Sequence, residues 1–283
     1  MRAELAVIGL LLLAWPARAA PQKLPLPQAP GEQTLQFGDA SLTIAMPAPE
    51  SHDSIRITAS APDTKPATLS LDHDPDAHEF PPDISVAEMD SSNTTPEFFI
   101  SRFSGGAHCC AMVQILDLVA GQWRIVDGGG WDGSEIIPQD ADGDGEEEIV
   151  HGDDRFLYLF SCYACAGTPV QVFKLVEGAL ADVTMSPLFR GLDEKDLPDF
   201  KQGCADHDNG ACAAYVAVAS RLGRHDEAWR FMLEHYNRDS NWGLSECFAT
   251  HSGKCAAEVD YPSYPDALAA FLARINAAEP SLP

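Results

Sequence analysis

Basic residues are scarce in this chain: 18 Lys and Arg stand against 43 Asp and Glu, a formal net charge of -25 over 283 residues. A polyanion of this density repels phosphates and has no electrostatic footprint for nucleic acid. The charge favours solubility and steers basic partners, and most of it is expected to form an ordinary solvated face. Long apolar runs are missing as well. The longest, Ala6 to Ala14, is too short for a comfortable membrane span, so none is expected in the mature chain. The chain contains no GxSxG elbow, Walker loop or HExxH pair. Gly128-Gly129-Gly130-Trp131 lacks the βαβ setting of a phosphate loop and is expected to be a turn between strands, while Asp72 to His78, broken by Pro75, is expected to be a solvated loop. No residue is assigned a catalytic or organic-cofactor role.

At the N-terminus, Met1-Arg2 precedes the apolar run, and the small triplet Ala17-Arg18-Ala19 follows it, the form of a secretory signal peptide over 1–19. No cysteine lies near that cleavage site, which argues against a lipid anchor. Cleavage after Ala19 takes away Arg2, Arg18 and Glu4, so the charge becomes -26 on the 264 residues left from 283. The mature chain is expected to be periplasmic or secreted.

The fold expected is α+β in two parts. Residues 20–33, proline-rich from Pro21 to Pro30, form a flexible tether. Residues 34–186 alternate short β-type runs with Gly, Pro, Asp and Ser, among them Ser41–Met46, Ser54–Thr58, Glu97–Phe103, Met112–Leu116, Trp123–Val126 and Val170–Val176. Residues 187–203 read as a linker. Residues 204–283 turn helical: Asp208 caps a helix that Gly223 ends, a second carries Trp229, Met232, Leu233 and Tyr236 on one face, and a third begins near Pro265 and presents Ala267, Leu268, Phe271, Leu272 and Ile275.

Within the β-region, Asp140-Ala-Asp142-Gly143-Asp144-Gly145-Glu146-Glu147-Glu148 sets carboxylates at alternate positions before the apolar Ile149-Val150. Hard divalent cations take many oxygen ligands in a flexible cage, and such a loop supplies them in one turn, so a calcium site is expected. It is not an EF-hand, because position twelve is His151 rather than a bidentate Glu and the flanks, Glu135–Ile137 and Arg155–Phe160, read as strands. The pattern D-x-D-G-D-G-x-x-E before an apolar strand resembles the calcium loops of FG-GAP/VCBS repeats, the blade units of integrin-α-type β-propellers. The resemblance implies side-chain ligands Asp140, Asp142, Asp144 and Glu148, a backbone carbonyl ligand at Glu146, and a domain of two or three propeller-blade-like antiparallel units. Glu148 stands where those repeats more often have Asp. A fainter copy aligns Glu97 with Glu148 at an offset of 51 residues and places Asn93 at position five, but Met89 and Ser91 replace the first two carboxylates, so it is expected to hold no ion. Ser104 to Cys110 resembles a segment of bacterial exported proteins that carry such loops, and Leu222 to Ala228 resembles one tetratricopeptide elbow.

Eight cysteines in an exported chain point to disulfides. Cys204-x7-Cys212-Ala-Ala and Cys247-x7-Cys255-Ala-Ala share one spacing, which favours those two pairs and implies two stapled helical units. Cys109, Cys110, Cys162 and Cys165 either pair across the two segments or form a vicinal bond and a local CxxC bridge. A redox CxxC is disfavoured because Gly167 and Pro169 stand where its helix should begin. With His108, the same four sulfurs form an alternative soft-metal or thiol site for zinc or copper(I). The leading expectation is a calcium-binding, non-enzymatic module that recognises a protein or glycan in the cell envelope, with a basic partner favoured by the charge. Its variant is an acidic inhibitor of a cationic envelope-acting enzyme.

Overall fold

A computed structural model describes residues 10–13, 20–73, 80–133, 135–251 and 254–278. Cleavage after Ala19 and most of the loop from Asp74 to His78 fall outside the described residues. The chain divides into two compact units: Met1–Val150 with Phe173–Ala181, and His151–Val172 with Asp182–Pro283.

Ten strands precede the acidic loop: β1 (Leu10–Leu13), β2 (Gln22–Lys23), β3 (Gly31–Phe37), β4 (Ala40–Met46), β5 (Ile55–Ser60), β6 (Ala67–Leu71), β7 (Asp83–Ala87), β8 (Glu97–Phe103), β9 (Cys109–Val119) and β10 (Gln122–Asp132). They form two five-stranded sheets, ordered β1-β3-β4-β5-β6 and β10-β9-β8-β7-β2. All neighbours are antiparallel except β1 and β3, which run parallel. Leu10–Leu13 of the expected leader is thus described as a strand beside β3.

In β4 and β5, Leu42, Ile44, Ile57 and Ala59 point inward and alternate with Ser41, Thr43 and Thr58, the period of a sheet with one dry face. Strand β8 differs, being buried at every residue from Glu97 to Ser101. Phe98 and Ile100 join Leu35, Phe37, Leu42, Ile44 and Trp123 in one core. On the other face, Phe99 joins Met89, Val113, Ile115, Val126, Ile149 and Leu175 in a second. The central sheet is therefore covered on both sides. No sheet among the described residues closes on itself, and the two five-stranded sheets instead share a core.

The triplet Gly128–Gly130 is not a turn but part of β10, where the register against β9 shifts between Asp127 and Gly129. At Gly128 a Cβ would lie 2.6 Å from the Val113 side chain, and Gly129 has φ +75°. A bulge with this close approach needs glycine, and glycine is the residue that made the segment look like a turn. The flanks of the acidic loop also depart from expectation. Glu135–Ile137 belongs to no strand among the described residues, and Arg155–Phe160 begins as a 3-10 turn, Asp154–Phe156, in which Asp153 accepts from the Arg155 amide and guanidinium. After the loop come β11 (Ile149–Gly152), β12 (Val170–Val176) and β13 (Ala179–Asp182), paired in that order.

In the second unit, α1 (Arg190–Ala205), α2 (Asn209–Arg221) and α3 (His225–His235) precede the hairpin β14 (Ser245–His251) and β15 (Lys254–Asp260), and α4 (Tyr264–Ala278) follows it. The expected linker 187–203 is instead a 3-10 turn, Pro187–Phe189, and most of α1; Pro198 and the surrounding charges masked its thin buried stripe of Asp193, Leu197 and Cys204. Asp208 caps α2 by accepting from the Gly210 and Ala211 amides, and α2 is buried from Asn209 to Ala219. It packs in a core with Met232 and with Leu268, Phe271, Leu272 and Ile275 of α4.

The cysteines pair as Cys109–Cys110, Cys162–Cys165, Cys204–Cys212 and Cys247–Cys255. The shared spacing conceals two environments. Cys204 and Cys212 join α1 to α2 and are both fully buried. Cys247 and Cys255 staple a hairpin, not a second helical unit, and β15 is exposed throughout. Phe248 and Val259, with side chains suited to strands, outweigh the helical analogy of Cys-Ala-Ala. An eight-residue separation predicts about 2–3 kcal/mol from chain entropy for either staple. In urea unfolding of the helical unit, paired Cys→Ala changes at 204 and 212 are expected to show that loss in full. The same changes at 247 and 255 should leave the core transition nearly unmoved, because the exposed hairpin adds little to it.

Candidate metal centre

The acidic loop folds on its own carboxylates. Asp140 accepts from the amides of Gly143 (2.7 Å) and Gly145 (3.2 Å), Asp142 from Asp144 (3.0 Å), Asp144 from Glu146 (2.8 Å), and Glu148 from Ala141 (3.0 Å). Gly143 and Gly145, at φ +83° and +93°, supply the left-handed steps that keep the loop tight. Glu148 ends the loop paired with Gln139 and is wholly buried, while Asp142 is half-buried and Asp140 exposed.

One oxygen each from Asp140, Asp142 and Glu148 can be chosen so that all lie within 4.8 Å of one another. Asp142 Oδ2 and Glu148 Oε1 accept no hydrogen bond from any described residue. A buried carboxylate oxygen without a donor is costly, and burial pushes the Glu148 pKa upward. The residues therefore fit a hard divalent cation, which would satisfy the free Oδ2 of Asp142 and take over Glu148 Oε1 from its loose 3.4 Å contact with the Lys174 ammonium.

Asp144 and Glu146 are directed elsewhere. Lys174 on β12 places its ammonium 2.7 Å from Asp144, 2.8 Å from Glu146 and 3.4 Å from Glu148. Burial works against that ammonium, but its bonds to Asp144 and Glu146 prevail and hold its pKa above the usual value. The same bonds, against the opposing effect of burial, hold Asp144 and Glu146 below theirs. Sequence reading assigned Glu146 only a backbone carbonyl role and missed Lys174, which lies 30 residues from Asp144.

The loop is tied to its faint copy. Glu147 donates its amide to the Glu88 carbonyl (2.7 Å) and accepts the Glu88 amide on its side chain (2.6 Å), and Glu146 accepts from the Ser91 amide (2.9 Å) and hydroxyl. Asp90 donates its amide to Glu97, as Ala141 does to Glu148, and Thr95 donates to Asn93, as Glu146 does to Asp144.

Residues 194–276, within the helical unit, match the sll0997 C-terminal domain family. The chain is similar to the "Probable thylakoid lumen protein sll0997" of Synechocystis sp., at 38% identity over 199 residues, covering 67% of this chain and 58% of that protein. It is also similar to the "Uncharacterized protein y4bJ" of Sinorhizobium fredii, at 33% identity over 199 residues, covering 68% of this chain and 32% of that protein. The chain thus spans less than two thirds of either relative. No solved structure matches it.

Within the matched unit, a cavity of about 450 Å³ is lined by Met185, Ser220, Arg221, His225, Leu272 and Asn276, among others. Ser220 lies 2.9 Å from His225 Nδ1, but its hydroxyl donates to the Val216 carbonyl at 2.6 Å. The imidazole therefore donates to the serine instead of drawing off its proton, the reverse of an activated nucleophile. The soft-metal alternative meets a direct obstacle, since Cys109, Cys110, Cys162 and Cys165 are all in disulfides and none is a thiolate ligand. His108 lies 3.6 Å from Asp132 instead.

Replacing Lys174 by Met leaves Asp144, Glu146 and Glu148 to repel one another. In chelator at neutral pH the variant is expected to melt several degrees below the parent, and to recover most of that deficit only at about pH 3, since in the parent Asp144 and Glu146 are lowered from 3.8 and 4.5 and keep their pairing with Lys174 until pH falls through the lowered values. A deficit of equal size at both pH values would show that Lys174 acts through packing alone.

Proposed function

We propose that this chain is an exported, calcium-stabilised, non-enzymatic binding module whose β-rich unit derives from FG-GAP/VCBS-like repeat units. The carrying observation is the gathering of Asp140, Asp142 and Glu148 oxygens within 4.8 Å of one another, with Asp142 Oδ2 unpartnered among the described residues and the buried Glu148 Oε1 met only by the Lys174 ammonium at 3.4 Å. Calcium suits a loop of this kind because it accepts irregular geometry and carboxylate, carbonyl and water ligands together. In this reading Asp140, Asp142 and Glu148 hold the ion, the Glu146 carbonyl adds a ligand, and Asp144 joins them on release from Lys174. The ion ties the loop to the core strand that begins at Ile149, which is a structural role.

An extracytoplasmic address is supported by the signal-like N-terminus, by eight cysteines and by the name of the Synechocystis relative, which places that protein in the thylakoid lumen. No helix among the described residues is long and apolar enough to cross a membrane. The net charge of -25 favours a basic protein as partner over a neutral glycan, and a cationic envelope-acting enzyme fits that description. Such binding should weaken steeply between low and physiological salt, and affinity indifferent to salt would remove the charge argument.

Adding calcium to chelator-stripped protein is expected to raise the melting temperature of the β-rich unit, with affinity of roughly 10⁻⁴–10⁻³ M, as in extracellular modules. Asp142→Ala should abolish the gain and leave the chelator value close to that of the parent. Calcium that shifts neither protein would rule out the metal reading.

A further inference from the structure

The faint copy of the calcium loop carries a feature invisible in the loop itself. Strands β8 and β9 are antiparallel with Phe98 opposite Leu116, so one further step brings Glu97 opposite Asp117. Directly opposed residues on one sheet face have neighbouring side chains. Both residues are wholly buried. Glu97 Oε2 accepts the Met89 amide at 2.6 Å and the Asp90 amide at 3.1 Å, which leaves Oε1 without a partner among the described residues. Neither oxygen of Asp117 accepts a well-formed hydrogen bond from a described residue, the Leu118 amide making only a weak approach to the carboxylate. Arg124, opposite Asp117 on β10, is exposed and makes no ion pair with it among the described residues, so its charge offsets only part of the cost of burial, to which the half-buried Asp90 adds a third negative charge nearby.

Two buried carboxylates at opposed positions of one sheet face, each acting on the other's charge, have two physical remedies, a shared proton or a cation. In the calcium loop, the buried Glu148 is gathered with Asp140 at position one and Asp142 at position three. In the copy, Met89 and Ser91 stand at those positions, and Ser91 is bonded to Glu146. Asp117, from the neighbouring strand, restores the missing carboxylate beside Glu97. Asn93, half-buried at position five, adds a carbonyl oxygen of the type calcium accepts.

We propose that Glu97 and Asp117, with Asn93 and Asp90 at its edge, form a second divalent-cation site on the central sheet, next to the loop that Ser91 and Glu88 bind. The choice of calcium as its ion rests on the reading of that loop, whereas the site itself follows from the unpartnered buried carboxylates.

Calorimetric titration of the chelator-stripped full chain with calcium chloride tests it, using Asp117→Asn and Asp142→Asn as separate variants. Two ions per chain for the parent and one for each variant would support both sites. One ion for the parent, kept by Asp117→Asn and lost by Asp142→Asn, would overturn the second site and leave the loop reading intact. One ion lost only by Asp117→Asn would do the opposite, and no binding by the parent would overturn both. Melting in chelator guards against a variant that fails to fold. Asp117→Asn relieves the repulsion and should melt above the parent there, yet gain less from calcium. A rise of the same size with and without calcium would identify a shared proton and overturn the cation site.

Discussion

Burial of the central sheet on both faces is the constraint on which the β-rich unit depends. Strand β8 contributes Phe98 and Ile100 to one core and Phe99 to the other, so neither core forms without it. A strand dry on both faces can be apolar at every position, which is why Glu97–Ser101 lacks the alternation of β4 and β5. It also brings whatever polar groups it carries into the dry interior, and Glu97 is the one that matters.

From that constraint follows a problem of charge. The chain is acidic overall, and Glu97, Asp117, Glu147 and Glu148 are all buried within the same unit. Burial pushes Glu97 up to about 9 and Glu147 up to about 7, the direction in which an acid resists ionising. A folded-state pKa above the unfolded value stabilises the protein at low pH and loses that stabilisation as pH rises toward the folded value. For Glu97 that window runs from its ordinary value of 4.5 to about 9, which includes neutral pH. The fold meets the problem at one place with Lys174, set among Asp144, Glu146 and Glu148. A bound cation would meet it at Asp142 Oδ2, to which Lys174 makes no ion pair among the described residues, and would share Glu148 with the lysine.

The helical unit is governed by different physics. Its core is continuous and apolar, centred on a helix buried almost from end to end, and its internal staple lies within that core. There Ser220 and His225 border a cavity, but the direction of their hydrogen bonds withholds the chemistry that their residue types invite. Side-chain identity names candidates, and the disposition of each proton decides among them.

Local signals were legible in the sequence. The acidic loop, the cap at Asp208, the stop at Gly223 and the buried face of α4 each depend on residues within a few positions of one another, where spacing alone sets geometry. The shared spacing of the Cys204 and Cys247 motifs told both pairings correctly but not the setting of the second, because identical spacing says nothing about whether the enclosed segment finds a core to pack against. The bulge at Gly128, the lysine among the loop carboxylates and the placing of Glu97 beside Asp117 all depend on strand register or on residues brought from other strands, while the choice of the vicinal Cys109–Cys110 bond over cross-segment pairing was open in the sequence. The sequence by itself therefore determined which segments carry acid, which are apolar and where helices start and stop. Only the tertiary structure decided which carboxylates share a dry space, because electrostatic cost is set by distance and burial, and both arise when separate strands come together.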